Sequence, residues 1–68
     1  MTSEQFKAWR KGMGLTQAGA ADALGLSKES VFNYETGVRR DGGRAVVIPR
    51  TVALACAAVS AGLEPVGS

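Results

Sequence analysis

Histidine is absent from the 68 residues, cysteine occurs once, and proline only twice. With Cys56 as the sole thiol there is no internal disulfide framework, and without histidine or a second cysteine the usual zinc spacings cannot be built. Such cysteine usage fits a reducing compartment. Long hydrophobic runs are lacking too: the longest, Val52 to Val59, falls far short of the roughly 20 residues a membrane span needs. The opening MTSEQFKAWRK has no apolar stretch resembling a signal peptide, so the chain reads as cytoplasmic. No paired carboxylates, metal constellation or phosphate-cradling glycine loop is evident, and an enzyme is the weakest of the readings. No cofactor or metal is expected.

The chain has room for one domain, expected over 1–64 with a tail at 65–68. A chain this short buries only about 60% of the surface its unfolded form exposes, so a second copy or a partner is a reasonable expectation. No repeat or low-complexity linker interrupts it.

Charge is more informative by position than in sum. The net +2 divides into +2 over residues 1–15, −2 over 16–36, +3 over 37–50 and −1 over the remainder. The segment around Arg39, Arg40 and Arg44 is therefore concentrated and basic. It suits either phosphate binding or a solvated loop.

Helix signals recur at short intervals. Thr2 or Ser3 can cap a first helix carrying Phe6, Arg10 and Met13 at helical spacing with Trp9 beside them, closed by Gly12 and Gly14. Thr16 can cap a second, QAGAADAL, with Ala20, Ala21 and Leu24 on one face and Gly25 as its stop. Gly19 inside it costs roughly 1 kcal/mol against Ala, so packing must hold this helix. Leu26 serves as a core plug, and Ser27 caps KESVFNYET, which Gly37 ends. Two helices joined by so short a glycine-containing turn must cross steeply, the helix-turn-helix geometry, here over about 16–36.

Beyond Gly37, the Asp41-Gly42-Gly43 turn signal allows a short hairpin or an ordered loop over 38–48. Pro49 then precedes a fourth, alanine-rich helix with Val52, Ala55, Cys56 and Val59 at helical spacing, stopped by Gly62. Leu63 is placed to fold back on the core. The fold class is all-α, a bundle of about four helices.

The third helix sorts its residues by chemistry. Steps of about 100° put Lys28, Glu29, Phe32, Asn33 and Thr36 in one arc and Ser27, Ser30, Val31, Tyr34 and Glu35 in the other. A polar surface face would be ordinary, but a Phe at its centre exposes apolar area with no folding reward. Contact with a thymine methyl, a sugar or a partner would supply one.

Residues 15–37 resemble the lambda-repressor-like, Cro-type (XRE) helix-turn-helix family. The pattern is met by Leu15, Thr16, Gln17, Ala21, Gly25, Val31, Tyr34, Glu35 and Gly37. Gly19 and Ala20 depart from it, where family members usually carry an acidic residue and a larger aliphatic. The loop after Gly37 is also longer, and one helix follows where two are common.

The resemblance implies a sequence-specific DNA-binding regulator, most often a repressor acting on an inverted repeat as a homodimer. Lys28, Glu29, Phe32 and Asn33 would then face base edges: Asn33 toward adenine, Lys28 toward guanine acceptors, Glu29 toward cytosine N4, Phe32 toward a thymine methyl. Gln17 would reach the backbone, with Arg39, Arg40 and Arg44 supplying sequence-independent affinity and Ser30 and Thr36 as weaker contacts. Arg10 stands where the family places a basic partner for Glu35, which implies a structural ion pair. Val52, Ala55, Cys56 and Val59 are the candidate dimer surface, although an alanine-rich helix is more often core. Cys56 itself reads as a buried small hydrophobe. Alternatives are an antitoxin or protein-binding module whose main partner is another protein and, more narrowly, a phage-borne autorepressor accompanying anti-CRISPR genes.

Overall fold

The computed structural model describes residues 1–37 and 46–67. It contains four helices in the order α1 (Ser3–Gly12), α2 (Gln17–Leu24), α3 (Lys28–Thr36) and α4 (Arg50–Ser60). No strand occurs among the described residues. The Asp41-Gly42-Gly43 turn lies outside them, as do Arg39, Arg40 and Arg44.

Helix boundaries follow from side-chain chemistry. Thr2 and Gln5 close a capping box at α1, each side chain bonding the other's backbone N–H, while Thr16 and Ser27 accept from the Gly19 and Ser30 amides to start α2 and α3. Each cap satisfies a donor that the first turn leaves without an intrahelical partner. α4 differs, since Pro49 is its N-cap and no side chain accepts there.

Two glycines make the steep α2–α3 crossing and its exit. Gly25 adopts φ 70°, the Leu26 amide donates to the Ala21 carbonyl at 2.8 Å, and the Gly25 amide donates to Asp22 at 3.3 Å. This Schellman arrangement turns Leu26 back toward the core, where it is partly buried. Gly37, at φ 77°, ends α3 through its amide to the Asn33 carbonyl at 2.9 Å. A Cβ there would also lie 3.0 Å from Ser3 Oγ, so the end of α3 and the start of α1 approach closely.

The core gathers Phe6 from α1, Ala20 and Ala21 from α2, Val31 from α3, Ile48, and Val52 and Cys56 from α4. Trp9 and Tyr34 flank Phe6, with ring centroids 5.9 and 5.8 Å away. The small residues of α2 let α3 and α4 both pack against it. A second tie joins α1 to the far end of α4: Trp9 Nε1 donates to Ser60 Oγ at 2.7 Å.

Three expectations change. Val52 and Cys56, placed on a dimer surface by their spacing, are buried in the protein's own core, with Cys56 only 1% exposed. They cannot meet a second copy; Ala55 and Val59 are half-buried beside them. Leu63 does not fold back, being 65% exposed, although its amide continues the turn by donating to the Ala58 carbonyl. Met13 lies at the rim, where Ser60 Oγ donates to its sulfur at 3.9 Å.

Candidate nucleic-acid interface

The site is built from the outward side of α3 and the first turn of α2. Val31 anchors the inner side of α3 at zero exposure, which fixes the rotation of the helix and turns Lys28 and Glu29 into solvent. Phe32 follows one turn after Lys28 and Glu29 and is half-buried. Together with Gln17, these three line one open depression on the surface. A cation, a carboxylate, an aromatic ring and a carboxamide thus converge on one surface, a set able to read base edges and methyl groups.

A partly buried ion pair braces this surface from beneath. Arg10 Nε donates to Glu35 Oε2 at 2.5 Å and Arg10 Nη2 to Oε1 at 3.0 Å, a two-pronged contact with the side chains only 13% and 4% exposed. Arg10 Nη1 donates to the Leu15 carbonyl at 2.9 Å, tying in the α1–α2 turn as well. Hydrogen bonding to Glu35 outweighs desolvation and holds the Arg10 pKa further above its ordinary value. The guanidinium is therefore charged under all physiological conditions.

Gln17 belongs to this network. Its Nε2 donates to Glu35 Oε1 at a long 3.4 Å, so one amide hydrogen is directed inward and the other remains for an outside acceptor. The Gln17 and Ala18 amides also open α2 without intrahelical acceptors, in keeping with an anion at that helix start.

The remaining candidates separate clearly. Ser30 Oγ receives the Ser27 hydroxyl at 2.9 Å, and the Thr36 hydroxyl donates back to the Phe32 and Asn33 carbonyls. Both hydroxyls serve the helix ends first. Asn33 is half-buried, and its Oδ1 is shielded from solvent with no hydrogen-bond partner. A paired contact to adenine needs both amide groups outward, so Asn33 must rotate before it can make one. The ends of the basic segment are held together by the Val46 amide donating to the Gly37 carbonyl at 2.9 Å.

Sequence reasoning missed three features: the Gln17–Glu35 bond, the inward Asn33 oxygen and the exposed outer side of α4. The last was available from the helical repeat, since Leu54 lies opposite the buried Val52 and Cys56. The other two depend on side-chain rotamers, for which the sequence carries no signal.

Such a pair of short helices, crossing through a glycine turn with the second helix polar on its outer side, defines a helix-turn-helix domain. A family model described as helix-turn-helix matches residues 6–41, more than half of the chain. The protein belongs to this family, the XRE type of lambda-repressor-like and Cro-like DNA-binding transcription regulators. The family is a regulatory one and not a family of enzymes. No curated protein and no solved structure matches the chain. Among the described residues, no helix is long and apolar enough to cross a membrane, and no group of three potential metal ligands occurs.

Proposed function

We propose that this protein is a cytoplasmic transcriptional repressor, acting on its own operon, that binds an inverted repeat as a dimer with α3 in the major groove. The observation that carries the reading is the depression shared by Gln17, Lys28, Glu29 and Phe32, set on a helix that Arg10 and Glu35 lock in place. A rigid support under adaptable polar groups is what base discrimination requires. In this reading Lys28 donates to guanine, Glu29 accepts from cytosine N4, Phe32 meets a thymine methyl, and Asn33 reaches adenine after rotating outward. Gln17 spans a backbone phosphate. Arg39, Arg40 and Arg44 supply affinity independent of sequence, and Ser30 and Thr36 add at most weak backbone contacts.

The test is titration of a duplex carrying the inverted repeat upstream of the coding sequence, against random DNA, at two salt concentrations. Lys28→Ala should cost about 1–3 kcal/mol on the inverted repeat and relax preference at one base pair in each half-site. Gln17→Ala should weaken both duplexes equally and, since Gln is neutral, leave the salt slope alone, whereas Arg39→Ala should reduce that slope by about 1. Equal affinity for the inverted repeat and random DNA would remove the autorepressor.

A further inference from the structure

Away from α3, a side-chain relay joins the end of α1 to the end of α4. Trp9 Nε1 donates to Ser60 Oγ at 2.7 Å, and the Ser60 hydroxyl in turn donates to the Met13 sulfur at 3.9 Å. Because its oxygen already receives the indole N–H, Ser60 directs its own hydrogen at the thioether, and the bond it accepts strengthens it as a donor. The contact to sulfur is long, and a thioether is a weak acceptor. A polarised hydroxyl therefore faces a poor partner across a gap.

The gap has the size of one oxygen atom. A sulfoxide carries its oxygen about 1.5 Å from the sulfur. With an angle of about 120° at that oxygen, a sulfur 3.9 Å from Ser60 Oγ leaves an O–H···O distance of about 2.9 Å, within the ordinary range. The sulfur is also open to a small oxidant. Met13 is 39% exposed and stands between Gly12 and Gly14, where an added Cβ would meet nothing within 4 Å. Cys56, by contrast, is closed off: it is buried, and burial pushes its thiol pKa up, away from the reactive thiolate. Met1 is as open as Met13, at 42%, but its sulfur has no hydrogen bond among the described residues.

We propose that Met13 is a peroxide-sensitive modification site whose sulfoxide takes the Ser60 hydroxyl as its donor and fastens α1 to α4. A sulfur lone pair attacks one oxygen of hydrogen peroxide. The S–O bond forms, the O–O bond breaks, and the departing hydroxide takes the proton of the transferred oxygen and leaves as water. Sulfur loses two electrons and peroxide gains them. Of the two sulfoxide epimers, one points its oxygen at Ser60, and stereospecific reductases return each to the thioether, so the change is reversible. A sulfoxide in a core disrupts packing by adding a polar atom where none is wanted. At this rim the added oxygen meets a waiting donor, and the sign is reversed.

The test contains no DNA and is independent of the proposed function. The folded protein is treated with hydrogen peroxide, the added oxygen is located by peptide mass mapping, and each of the two stereospecific methionine sulfoxide reductases is used in turn to remove one epimer. Met13 should be converted while Cys56 stays a thiol. One epimer at Met13 should melt about 4 °C above the reduced protein, with slower hydrogen exchange at the C-terminal amides of α4. Met13→Leu should show no gain on peroxide treatment, which removes Met1 as its source. Ser60→Ala should fold, since its side chain is exposed, and its oxidised form should melt no higher than its reduced form. Wild-type sulfoxides that both melt at or below the reduced protein would overturn the proposal. So would a gain that survives Ser60→Ala, or a Met13 that stays reduced under peroxide that oxidises Met1.

Discussion

α3 and α4 rest on the same small core, α3 through Val31 and α4 through Val52 and Cys56, yet they turn opposite chemistries outward. α3 presents Lys28, Glu29 and a half-covered Phe32; α4 presents Leu54 and alanines. They are also held differently. α3 is capped by Ser27, closed by Gly37 and clamped by the Arg10–Glu35 pair, whereas α4 starts at Pro49 with no side-chain acceptor. A helix that reads base edges must be placed to within a fraction of an ångström, because misaligned hydrogen bonds lose their value. Apolar packing tolerates more play, since dispersion and burial are not directional.

The largest expected effect comes from removing the clamp. Arg10→Ala leaves the Glu35 carboxylate buried without its cation, at a cost of about 3–5 kcal/mol. A domain of this size has about 3–10 kcal/mol of total stability, so the variant should lose a large fraction of it and melt well below wild type by circular dichroism. Arg10→Met combined with Glu35→Leu should recover most of the loss, because the pair's own desolvation is avoided. Recovery of the fold without recovery of DNA affinity would show that Glu35 also serves Gln17. Full recovery of both would reduce the pair to architecture alone.

A smaller effect is expected at the tie holding α4. Trp9→Phe keeps a ring beside Phe6 but removes the donor to Ser60, which should cost about 0.5–1.5 kcal/mol. The loss should be regional. Hydrogen exchange should quicken at the C-terminal amides of α4 while those of α3 keep their protection, and uniform quickening in both helices would mean that the two are not separately held.

Much of this arrangement is legible in the sequence. Caps and glycines mark helix ends by local chemistry, so Thr16, Gly25, Ser27 and Gly37 gave the helix-turn-helix directly, and its connection length gave the crossing. The Arg10–Glu35 contact was implied by resemblance to the family and is present in the structure. The rotation of α4 was the weak point. Val52, Ala55, Cys56 and Val59 share one face, and spacing alone suits that face to a contact surface as well as to the core that an alanine-rich helix more often joins. What decided it was the packing of Val52 and Cys56 within the protein's own core, a tertiary fact. Asn33 shows a different limit: periodicity put it correctly on the polar arc, but its amide oxygen turned inward through a rotamer that no sequence pattern encodes.

That oxygen gives the smallest and most discriminating expectation. A buried carbonyl without a donor is a standing cost to the free protein, and exchanging the amide for an apolar group of similar shape removes it. Asn33→Leu should therefore melt at the same temperature as wild type or slightly above, a gain of about 0–1 kcal/mol. If Asn33 swings out to adenine in the complex, the same variant should bind the inverted repeat more weakly while random DNA is unaffected. Stability and recognition would then move in opposite directions at one residue of α3, as happens where a site retains an unsatisfied group for its ligand. Leu54→Ala on α4, at a side chain that is 57% exposed, should show no such opposition: it keeps its melting temperature and binds an isolated half-site as wild type does. A clear drop in the melting temperature of Asn33→Leu would mean that the oxygen finds a donor in solution, and would assign Asn33 to the support of α3 rather than to its reading surface.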